Sequence, residues 1–270
     1  MGALILLRGG GDLASGVAYR LYRAGLKVVI TELPEPLAVR RRVAFAEAVY
    51  TGRHTVEGVT ARRATPDEVD DVLGEGDIPV VVDPAADILN DSRYPFLVLV
   101  DGRMTKRPPD LGLDAAPLVI GLGPGFVAGE NCHAVVETHR GHTLGRVYWQ
   151  GAPLEDTGIP EAVAGHRADR VLRAPADGVL KAYVEIGEHL EQGQVIADVA
   201  GQPIRAPFGG VLRGLVHPGL RVQQGMKVGD LDPRDDPRYC TLISDKSLAI
   251  GGGVLEAILS RVDLRARLWD

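Results

Sequence analysis

The sequence predicts an α/β protein: a Rossmann-like parallel-sheet domain, then a small β domain, then a C-terminal helix. Three observations carry this prediction. An apolar run leads through three glycines into helical spacing, further apolar runs end in polar residues, and the second half repeats itself. We expect a Rossmann-like domain over residues 1–150, a linker over 151–173, the repeat domain over 174–235, and a strand and helix over 236–270 that pack back.

Composition excludes several functional classes. The chain has 270 residues, 45% of them hydrophobic and 24% charged, which suits two globular domains. A net charge of -6 provides no basic field for nucleic acid, and no apolar run approaches the roughly 18 to 20 residues that a membrane span needs. The start, MGALILLRGG, is typical of a buried strand rather than a signal segment. We therefore expect a cytoplasmic protein with neither nucleic acid nor a membrane as a partner.

The first elements form a strand, a turn and a helix. Residues 3–8 are a continuous apolar run that suits a central strand, and helical spacing of apolar residues follows up to Gly25, which is expected just after the helix end. The segment KVVITE supplies a second strand. Further strands are predicted over 78–84, 96–102 and 117–125, and helices over 36–49 and over 66–73, the latter capped by Thr65.

The turn after the first strand matches a dinucleotide-binding fingerprint. Gly9, Gly11 and Ala14 satisfy G-x-G-x-x-[GA], and Glu32 ends the second strand, where such a site places a carboxylate for a ribose hydroxyl. Gly11 would let a pyrophosphate approach the helix N-terminus. Asp12 opposes this, because a carboxylate in the first helical turn repels phosphate unless it points away. The alternative is that the glycines only shorten the turn.

Polar residues also follow later strands. Asp101 ends one predicted strand, and Arg103 follows two residues later, so a polar rim around a crevice is expected, although such aspartates also cap turns. A second glycine-rich segment contains Gly123 and Gly125 and lacks helical spacing, so we interpret it as a binding loop of another kind.

Metal-ligating side chains crowd into one segment, and they are Cys132, His133, Glu137, His139 and His142. In an extended strand His133, Glu137 and His139 would point to one face. Zinc needs three or four convergent ligands, and two short strands with hydrogen-bonded ends are the commoner outcome. We predict no metal site and keep Cys132, His142 and Cys240 as weak candidates; the two cysteines are more simply buried packing residues.

The second half contains an internal repeat. Residues 174–199 align with 206–231 without a gap, with 10 of 26 positions identical, and each copy is expected to be a small antiparallel unit. Such a pair resembles the barrel-sandwich hybrid of biotinyl and lipoyl carrier domains. The hairpin 199–204 has no Lys, so neither biotin nor lipoate is expected, and the domain is predicted to be a scaffold or docking surface. Gly251–Gly253 is predicted to open the C-terminal helix.

Several strings together resemble the selenium-dependent molybdenum hydroxylase system proteins, the YqeB-type family of molybdenum cofactor accessory factors. They include RGGGDLASGVAYRLYRAG, DGRMTKR, GLGPGFVAGENCHAVVETHRGHTLGRVYWQG and ISDKSLAIGGGVLEAIL, and the resemblance covers nearly the whole chain. The family is related, through its Rossmann-like part, to xanthine dehydrogenase accessory factors. The resemblance implies maturation of a molybdenum hydroxylase client.

The resemblance and the glycine turn meet in one hypothesis: a crevice at the strand ends that binds a molybdopterin dinucleotide or an NAD-like nucleotide. The candidate cofactor-binding residues are Gly9, Gly10, Gly11, Asp12, Glu32, Asp101, Arg103, Gly123 and Gly125. Further candidate partners of phosphate or pterin are Arg8, Arg40, Arg41 and Lys106. No catalytic residue is assigned, and whether any reaction is catalysed stays open.

Two other functions remain open at this point. One is an NAD-dependent oxidoreductase, for which the sequence lacks a convincing acid or base. The other is a noncatalytic chaperone whose repeat domain docks onto the hydroxylase. The apolar C-terminal helix is compatible with a homodimer or with intramolecular docking.

Overall fold

The computed structural model describes residues 3–155, 165–166 and 168–268, and the predicted linker 151–173 lies partly outside them. The chain divides into two compact units. The first unit comprises Met1–Pro36, Phe45–Asp156 and Ile243–Asp270, and the second comprises Leu37–Ala44 and Thr157–Leu242. Each unit is therefore assembled from segments that are distant in sequence.

The first unit contains a mixed sheet and α-helices. Its elements are β1 (Leu4–Arg8), α1 (Asp12–Arg23), β2 (Lys27–Glu32), α2 (Ala48–Thr51), β3 (Arg53–Val56), β4 (Val59–Ala64), α3 (Val69–Gly74), β5 (Ile78–Val82), β6 (Phe96–Asp101), β7 (Leu118–Leu122), β8 (Ala134–Val136), β9 (Val147–Tyr148), α4 (Asp245–Ser260) and α5 (Val262–Arg265). Short 3-10 turns cover Phe45–Glu47, Pro66–Glu68, Asp87–Asn90 and Leu113–Ala115.

The sheet has nine strands in the order β3-β4-β5-β2-β1-β6-β7-β8-β9. All pairs from β4 to β8 are parallel, and the two edge pairs, β3–β4 and β8–β9, are antiparallel. After β1 and β2, the chain forms β3 and β4 at one edge of the sheet and returns as β5 beside β2. It then crosses to the opposite side of β1 as β6. The order therefore reverses between β1 and β6.

Several predicted elements are confirmed. β1, β2, β5, β6 and β7 lie where apolar runs predicted buried strands, and every residue of β1 is buried. Gly25 follows α1 in the left-handed region, with φ 82°. Thr65 forms a capping box with Glu68, and Pro66 occupies the first turn, as the pattern predicted.

The predicted fold class is wrong. The sheet is mixed rather than parallel, because its edges close with the β3–β4 hairpin and with β9. The predicted helix over 36–49 is replaced by 3-10 turns at Arg41–Val43 and Phe45–Glu47 and by the single turn of α2. The connections from β5 to β6 and from β6 to β7 contain short 3-10 turns instead of the α-helices typical of a Rossmann-like domain. Within residues 3–155, only α1 links two adjacent strands as a regular α-helical crossover of several turns.

Two layers cover the sheet. α1 and α4 pack against each other, α1 lies on β1 and β2, and α4 lies on β7, β8 and β9. A continuous cluster of buried side chains contains residues from the strands and from the turns opposite: Leu4, Leu6, Val29, Val69, Val81, Ala86, Ile88, Tyr94, Phe96, Leu99, Ala116, Val119, Phe126, Ala128, Cys132 and Val135. The alternation of side chains along β1 thus places Leu4 and Leu6 in this cluster.

Glycines let α1 and α4 approach at backbone distance. A Cβ added to Gly251 would lie 2.6 Å from the Gly16 carbonyl oxygen, and one added to Gly16 would lie 2.6 Å from that of Ser247. α4 begins at Asp245 with Ser244 as its N-cap, so Gly251–Gly253 lies inside the helix. The prediction that these glycines open the helix is wrong, because α4 begins at Asp245, and close packing against neighbouring backbone requires Gly251 and Gly253.

The second unit contains two four-stranded antiparallel sheets. Its strands are β10 (Val171–Arg173), β11 (Gly178–Ala182), β12 (His189–Leu190), β13 (Val195–Val199), β14 (Gln202–Arg205), β15 (Gly210–Leu215), β16 (Arg221–Val222) and β17 (Lys227–Asp232). The sheet orders are β10-β17-β15-β12 and β14-β13-β11-β16.

The repeat copies exchange strands. β12 belongs to the first copy but pairs with β15 of the second, and β16 of the second copy pairs with β11 of the first. The prediction that each copy is a small antiparallel unit is therefore wrong. The predicted combination of a Rossmann-like domain with a barrel-sandwich hybrid is corrected to a mixed nine-stranded sheet and these two antiparallel sheets.

No helix in the described part of the chain is both long enough and apolar enough to span a bilayer.

Two neighbouring glycines of α4 provide a matched test of the helix contact. Gly251→Ala should destabilise the protein, because the new methyl group meets the α1 backbone, whereas Gly252→Ala meets open space and should gain helix propensity. We expect the free energies of unfolding of the two variants to differ by about 1–3 kcal/mol, measured by denaturant titration. Equal stability of the two variants would contradict the backbone contact.

Candidate functional site

The candidate site lies at the carboxyl edge of the nine-stranded sheet, where the strand order reverses. Open sheets bind ligands in the crevice outside the carboxyl ends of their parallel strands at such a point. Arg8 ends β1 and Asp101 ends β6, and the two residues are paired in register. The turn Gly9–Gly11 therefore lies beside the loop that begins at Gly102, whose N–H donates to the Arg8 carbonyl at 2.9 Å.

The three glycines of the turn serve different purposes. Gly9 has φ 89°, and a Cβ there would lie 3.3 Å from the Arg103 backbone. A Cβ on Gly10 would lie 2.8 Å from the Ala46 nitrogen, whose N–H donates to the Gly10 carbonyl. Only the position beside Gly11, the N-cap of α1, is open. Chain packing thus explains two of the three glycines.

Glu32 closes the turn from the side of β2. Its carboxylate accepts the Gly10 N–H at 2.6 Å and the Leu33 N–H at 2.8 Å. Burial raises the pKa of Glu32 above its usual value, although both hydrogen bonds oppose this. The Glu32 carboxylate therefore already holds the Gly10 N–H, one of the donors that this turn could offer to a pyrophosphate.

Asp12 points away from the turn. Its Oδ1 accepts the hydroxyl of Ser247, on α4, at 3.0 Å. The Asp12 carboxylate, in the first turn of α1, thus contributes to the contact between α1 and α4. Because it points away from the turn, it does not repel an anion there.

The main polar feature of the edge is a cluster of two arginines and two aspartates: Arg8, Asp101, Arg103 and Asp110. The Arg8 side chain is only 1% exposed, whereas that of Asp110 is 59% exposed. Arg103 pairs with Asp101 at 2.6 Å, and Arg8 lies 3.7 Å from Asp101. Arg8 also donates to the Pro84 carbonyl at 3.0 Å.

Both arginines converge on the Asp110 carboxylate. Arg8 Nη1 and Arg103 Nη2 each donate to Asp110 Oδ1 at 2.6 Å, while Arg8 Nη2 and Arg103 Nη1 reach Oδ2 at 3.1 and 3.4 Å. Hydrogen bonds from Arg8, followed by those from Arg103, hold the pKa of Asp110 well below its usual range. We call the two guanidinium groups of Arg8 and Arg103 the carboxylate clamp.

The second glycine-rich segment is shaped by packing. Gly123 has φ 67° and leaves no room for a side chain beside Thr138, and a Cβ on Gly125 would lie 2.6 Å from the Arg107 carbonyl oxygen. Gly125 thus supports the loop after β6. Neither glycine is seen to face an open crevice, so their predicted role as direct ligand contacts stays a prediction.

The histidines and cysteines of residues 132–142 do not converge. β8 covers only Ala134–Val136, so the predicted common face of His133, Glu137 and His139 is wrong. His133 Nδ1 accepts the Val119 N–H, and the Glu137 carboxylate accepts the His139 and Leu154 N–H groups. Among the residues that the structure describes, no group of three or more His, Cys, Asp or Glu side chains is placed to hold a metal ion.

The three weak metal candidates, Cys132, His142 and Cys240, do not belong to the clamp. His142 is exposed, and both cysteines are free and buried. Burial raises the pKa of Cys132 to about 11, and burial also raises that of Cys240, whose thiol contacts the Leu212 carbonyl. Both are packing residues in the form of thiols rather than reactive thiolates.

The other predicted cationic partners have structural roles or lie elsewhere. Arg40 and Arg41 belong to the second unit, where Arg40 donates to the Tyr239 and Leu242 carbonyls and Arg41 donates to that of Leu215. Lys106 is exposed on the loop after β6. Sequence reasoning named Arg8, Asp101 and Arg103 but missed Asp110, since no motif marks a loop aspartate that returns to a strand end.

Comparison with known proteins provides one strong sequence match. The chain is 48% identical over 257 residues to the uncharacterized protein YqeB of Escherichia coli (strain K12), and the match covers 95% of this chain. The chain spans about half the length of that relative, 47%. No protein-family model matches the chain.

Solved structures match only distantly. An aspartoacylase family protein from Mesorhizobium loti is 17% identical, with 86% of this chain and 85% of that chain covered and a TM-score of 0.27. A succinylglutamate desuccinylase from Silicibacter sp. TM1040 is 12% identical, with coverages of 85% and 84% and a TM-score of 0.26. TM-scores this low do not indicate a shared fold or a shared activity.

The implied role in molybdenum enzyme maturation is wrong. The sequence relative is described only as an uncharacterized protein, and at the turn expected to bind the dinucleotide the Glu32 carboxylate accepts the Gly10 N–H. The oxidoreductase and docking alternatives depended on the same turn and the same resemblance, and they are withdrawn with it. A nucleotide cofactor stays a prediction that the geometry of this turn does not favour.

Glu32 should make stability depend on pH in a defined direction. Because its folded-state pKa is raised, its protonated form stabilises the folded state below the unfolded pKa, near 4.5, and this contribution is lost as pH rises through the folded pKa. The free energy of unfolding of the wild type, minus that of Glu32→Gln, should therefore fall above pH 4.5, by at most about 1.4 kcal/mol per pH unit. A difference that is flat or rises across this window would show that burial does not dominate.

The cysteines should be inert in the folded protein. We expect Cys132 and Cys240 to react with an aromatic disulfide reagent at pH 8 only as fast as the protein unfolds, because both are buried thiols. Reaction of the folded and denatured protein is followed by thiolate release. Rapid labelling of either residue in the folded state would reopen its candidacy as a metal or sulfur ligand.

Proposed function

We propose that this chain binds a small molecule through a carboxylate group at the carboxyl edge of the nine-stranded sheet. Arg8 and Arg103 are the residues that bind this group, and Asp101 holds both arginines in place. The location of the clamp at the reversal of strand order supports the proposal, since such positions gather ligand sites.

The observation that carries the proposal is the mode in which the arginines hold Asp110. Each oxygen of that carboxylate accepts from both guanidinium groups, in four hydrogen bonds of 2.6 to 3.4 Å. Planar guanidinium forks match the two oxygens of a carboxylate, and such pairs provide orientation as well as energy. The clamp is thus already shaped for a carboxylate that comes from outside the sheet.

Because Arg8 is buried, keeping its charge beside Asp101 and Asp110 costs free energy that a purely structural role does not require. Removing a charged group from water costs several kcal/mol unless an opposite charge and hydrogen bonds compensate it. The described part of the structure shows no partner for the buried Nε of Arg8. Much of the compensation for the buried charge of Arg8 comes from Asp110, an exposed residue of a loop. A buried charge paired with an exposed one is typical of binding sites rather than of packed cores.

The open position beside Gly11 provides room on the same edge. Apart from Gly11 itself and its neighbours along the chain, no heavy atom lies within 4 Å of the position that a Gly11 Cβ would take. The body of a ligand whose carboxylate is in the clamp can extend along this bare backbone towards the start of α1. The proposed ligand class is therefore a small organic acid.

The clamp is tested in a protein from which its resident carboxylate has been removed. In the Asp110→Asn background, we expect a further Arg103→Gln change to weaken binding of acetate, glycolate and succinate about 10- to 100-fold, because charge-assisted hydrogen bonds are worth about 1.5–3 kcal/mol. Binding is measured by calorimetry or by the shift of the unfolding midpoint at constant ionic strength, with chloride as the reference anion.

The matched control is Arg93→Gln in the same background. Arg93 is also held by two aspartates, Asp67 and Asp91, but at the surface of another loop. This control should leave carboxylate binding unchanged. The proposal is overturned if the Asp110→Asn protein binds none of the carboxylates better than chloride, or if the Arg93 and Arg103 changes have equal effects.

A cytoplasmic location and a homodimer stay predictions from the sequence.

A further inference from the structure

The loop after β6 has features that packing alone does not require. It runs from Arg103 to residue 112 without regular secondary structure, and Thr105, Lys106, Arg107, Pro108 and Asp110 are exposed. Met104 and Lys106 have φ values of 54° and 58°, a region that residues with a side chain rarely adopt. We call residues 103–112 the loop segment. Its backbone is therefore held in an unfavourable conformation.

Contacts at both sides hold the loop segment in place. Near its start, Arg103 lies against Gly9, and the Arg107 carbonyl fits into the space that Gly125 leaves free. Near its end, the Asp110 carboxylate lies in the clamp. Backbone strain at functional sites persists only where surrounding contacts impose it. Release of Asp110 would remove the contact that draws the loop segment to the end of β1.

The charges of the cluster balance only while Asp110 is present. Arg8 and Arg103 supply two positive charges, and Asp101 and Asp110 supply two negative charges. Without Asp110 the cluster has a net charge of +1, at a place where Arg8 is almost completely buried. One external carboxylate restores the balance, whereas a carboxylate added beside Asp110 would leave a net charge of -1.

We infer that Asp110 is a built-in competitor for the site, and that a ligand with a single carboxylate enters by taking its place while the part of the loop segment around Asp110 moves away and Arg103 stays beside Asp101. This inference rests on the proposed binding function and adds how the site is closed and which ligands it takes. The exchange is one carboxylate for another, so no proton or bond is transferred. The ligand class is a monocarboxylate, whose charge the open cluster matches.

The test compares acetate binding to the wild type and to Asp110→Asn, which keeps the shape of the side chain and removes its charge. We expect Asp110→Asn to bind acetate at least about tenfold more tightly, because the internal carboxylate no longer competes for the two guanidinium groups. Asp114→Asn is the matched control: it removes the same charge from an exposed aspartate on the following 3-10 turn. It should bind acetate with wild-type affinity.

A second measurement follows the loop segment itself. In the wild type, saturating acetate should increase amide hydrogen exchange within residues 103–112, and Asp110→Asn should show this faster exchange without acetate. Slower exchange on adding acetate would mean that the loop segment closes over the ligand, which overturns the inference.

The outcomes separate the two claims. If neither the wild type nor Asp110→Asn binds acetate, glycolate or succinate better than chloride, the binding function itself fails. If Asp110→Asn binds them but no more tightly than the wild type or Asp114→Asn, the site stands and the role of Asp110 as a competitor is overturned.

Discussion

The close packing of α1 against α4 is the constraint on which the rest of the first unit depends. Gly16 and Gly251 remove the side chains that would separate the two backbones, and the hydrogen bond between Asp12 and Ser247 fixes the two helix starts relative to each other. α1 begins directly after the glycine turn. The C-terminal segment of the chain therefore determines where that turn lies, and with it the end of β1.

The charge cluster follows from the register of the sheet. Arg8 and Asp101 are the last residues of adjacent parallel strands and are paired directly, so a buried guanidinium lies beside a buried carboxylate. Asp101 provides one negative charge beside the two positive charges of Arg8 and Arg103, so a net positive charge remains. Asp110 supplies the balancing negative charge from an exposed loop, and this difference in burial between Arg8 and Asp110 is what makes an exchange with a ligand physically reasonable.

The second unit shows how a repeat in sequence can differ from a repeat in structure. Each copy contributes a two-residue strand, β12 or β16, to the sheet that contains longer strands of the other copy. Neither copy can then complete its sheet alone. The residues Leu37–Ala44 also belong to this unit, where the Val39 carbonyl lies 2.8 Å from the position of a Gly214 Cβ.

Local chemistry in the sequence determined much of the element list: the buried strands β1, β2, β5, β6 and β7, the helix α1 that ends before Gly25, and the cap at Thr65. It also marked Arg8, Asp101 and Arg103 as polar groups at strand ends. Only the tertiary structure decided the antiparallel edges, the position of Gly251–Gly253 within α4, and the meeting of Asp110 with both arginines. The physical reason is the separation along the chain between the residues that interact. Strands, turns and caps depend on neighbours in sequence, whereas the use of each glycine and the partner of each charge depend on segments that folding brings together from distant parts of the chain.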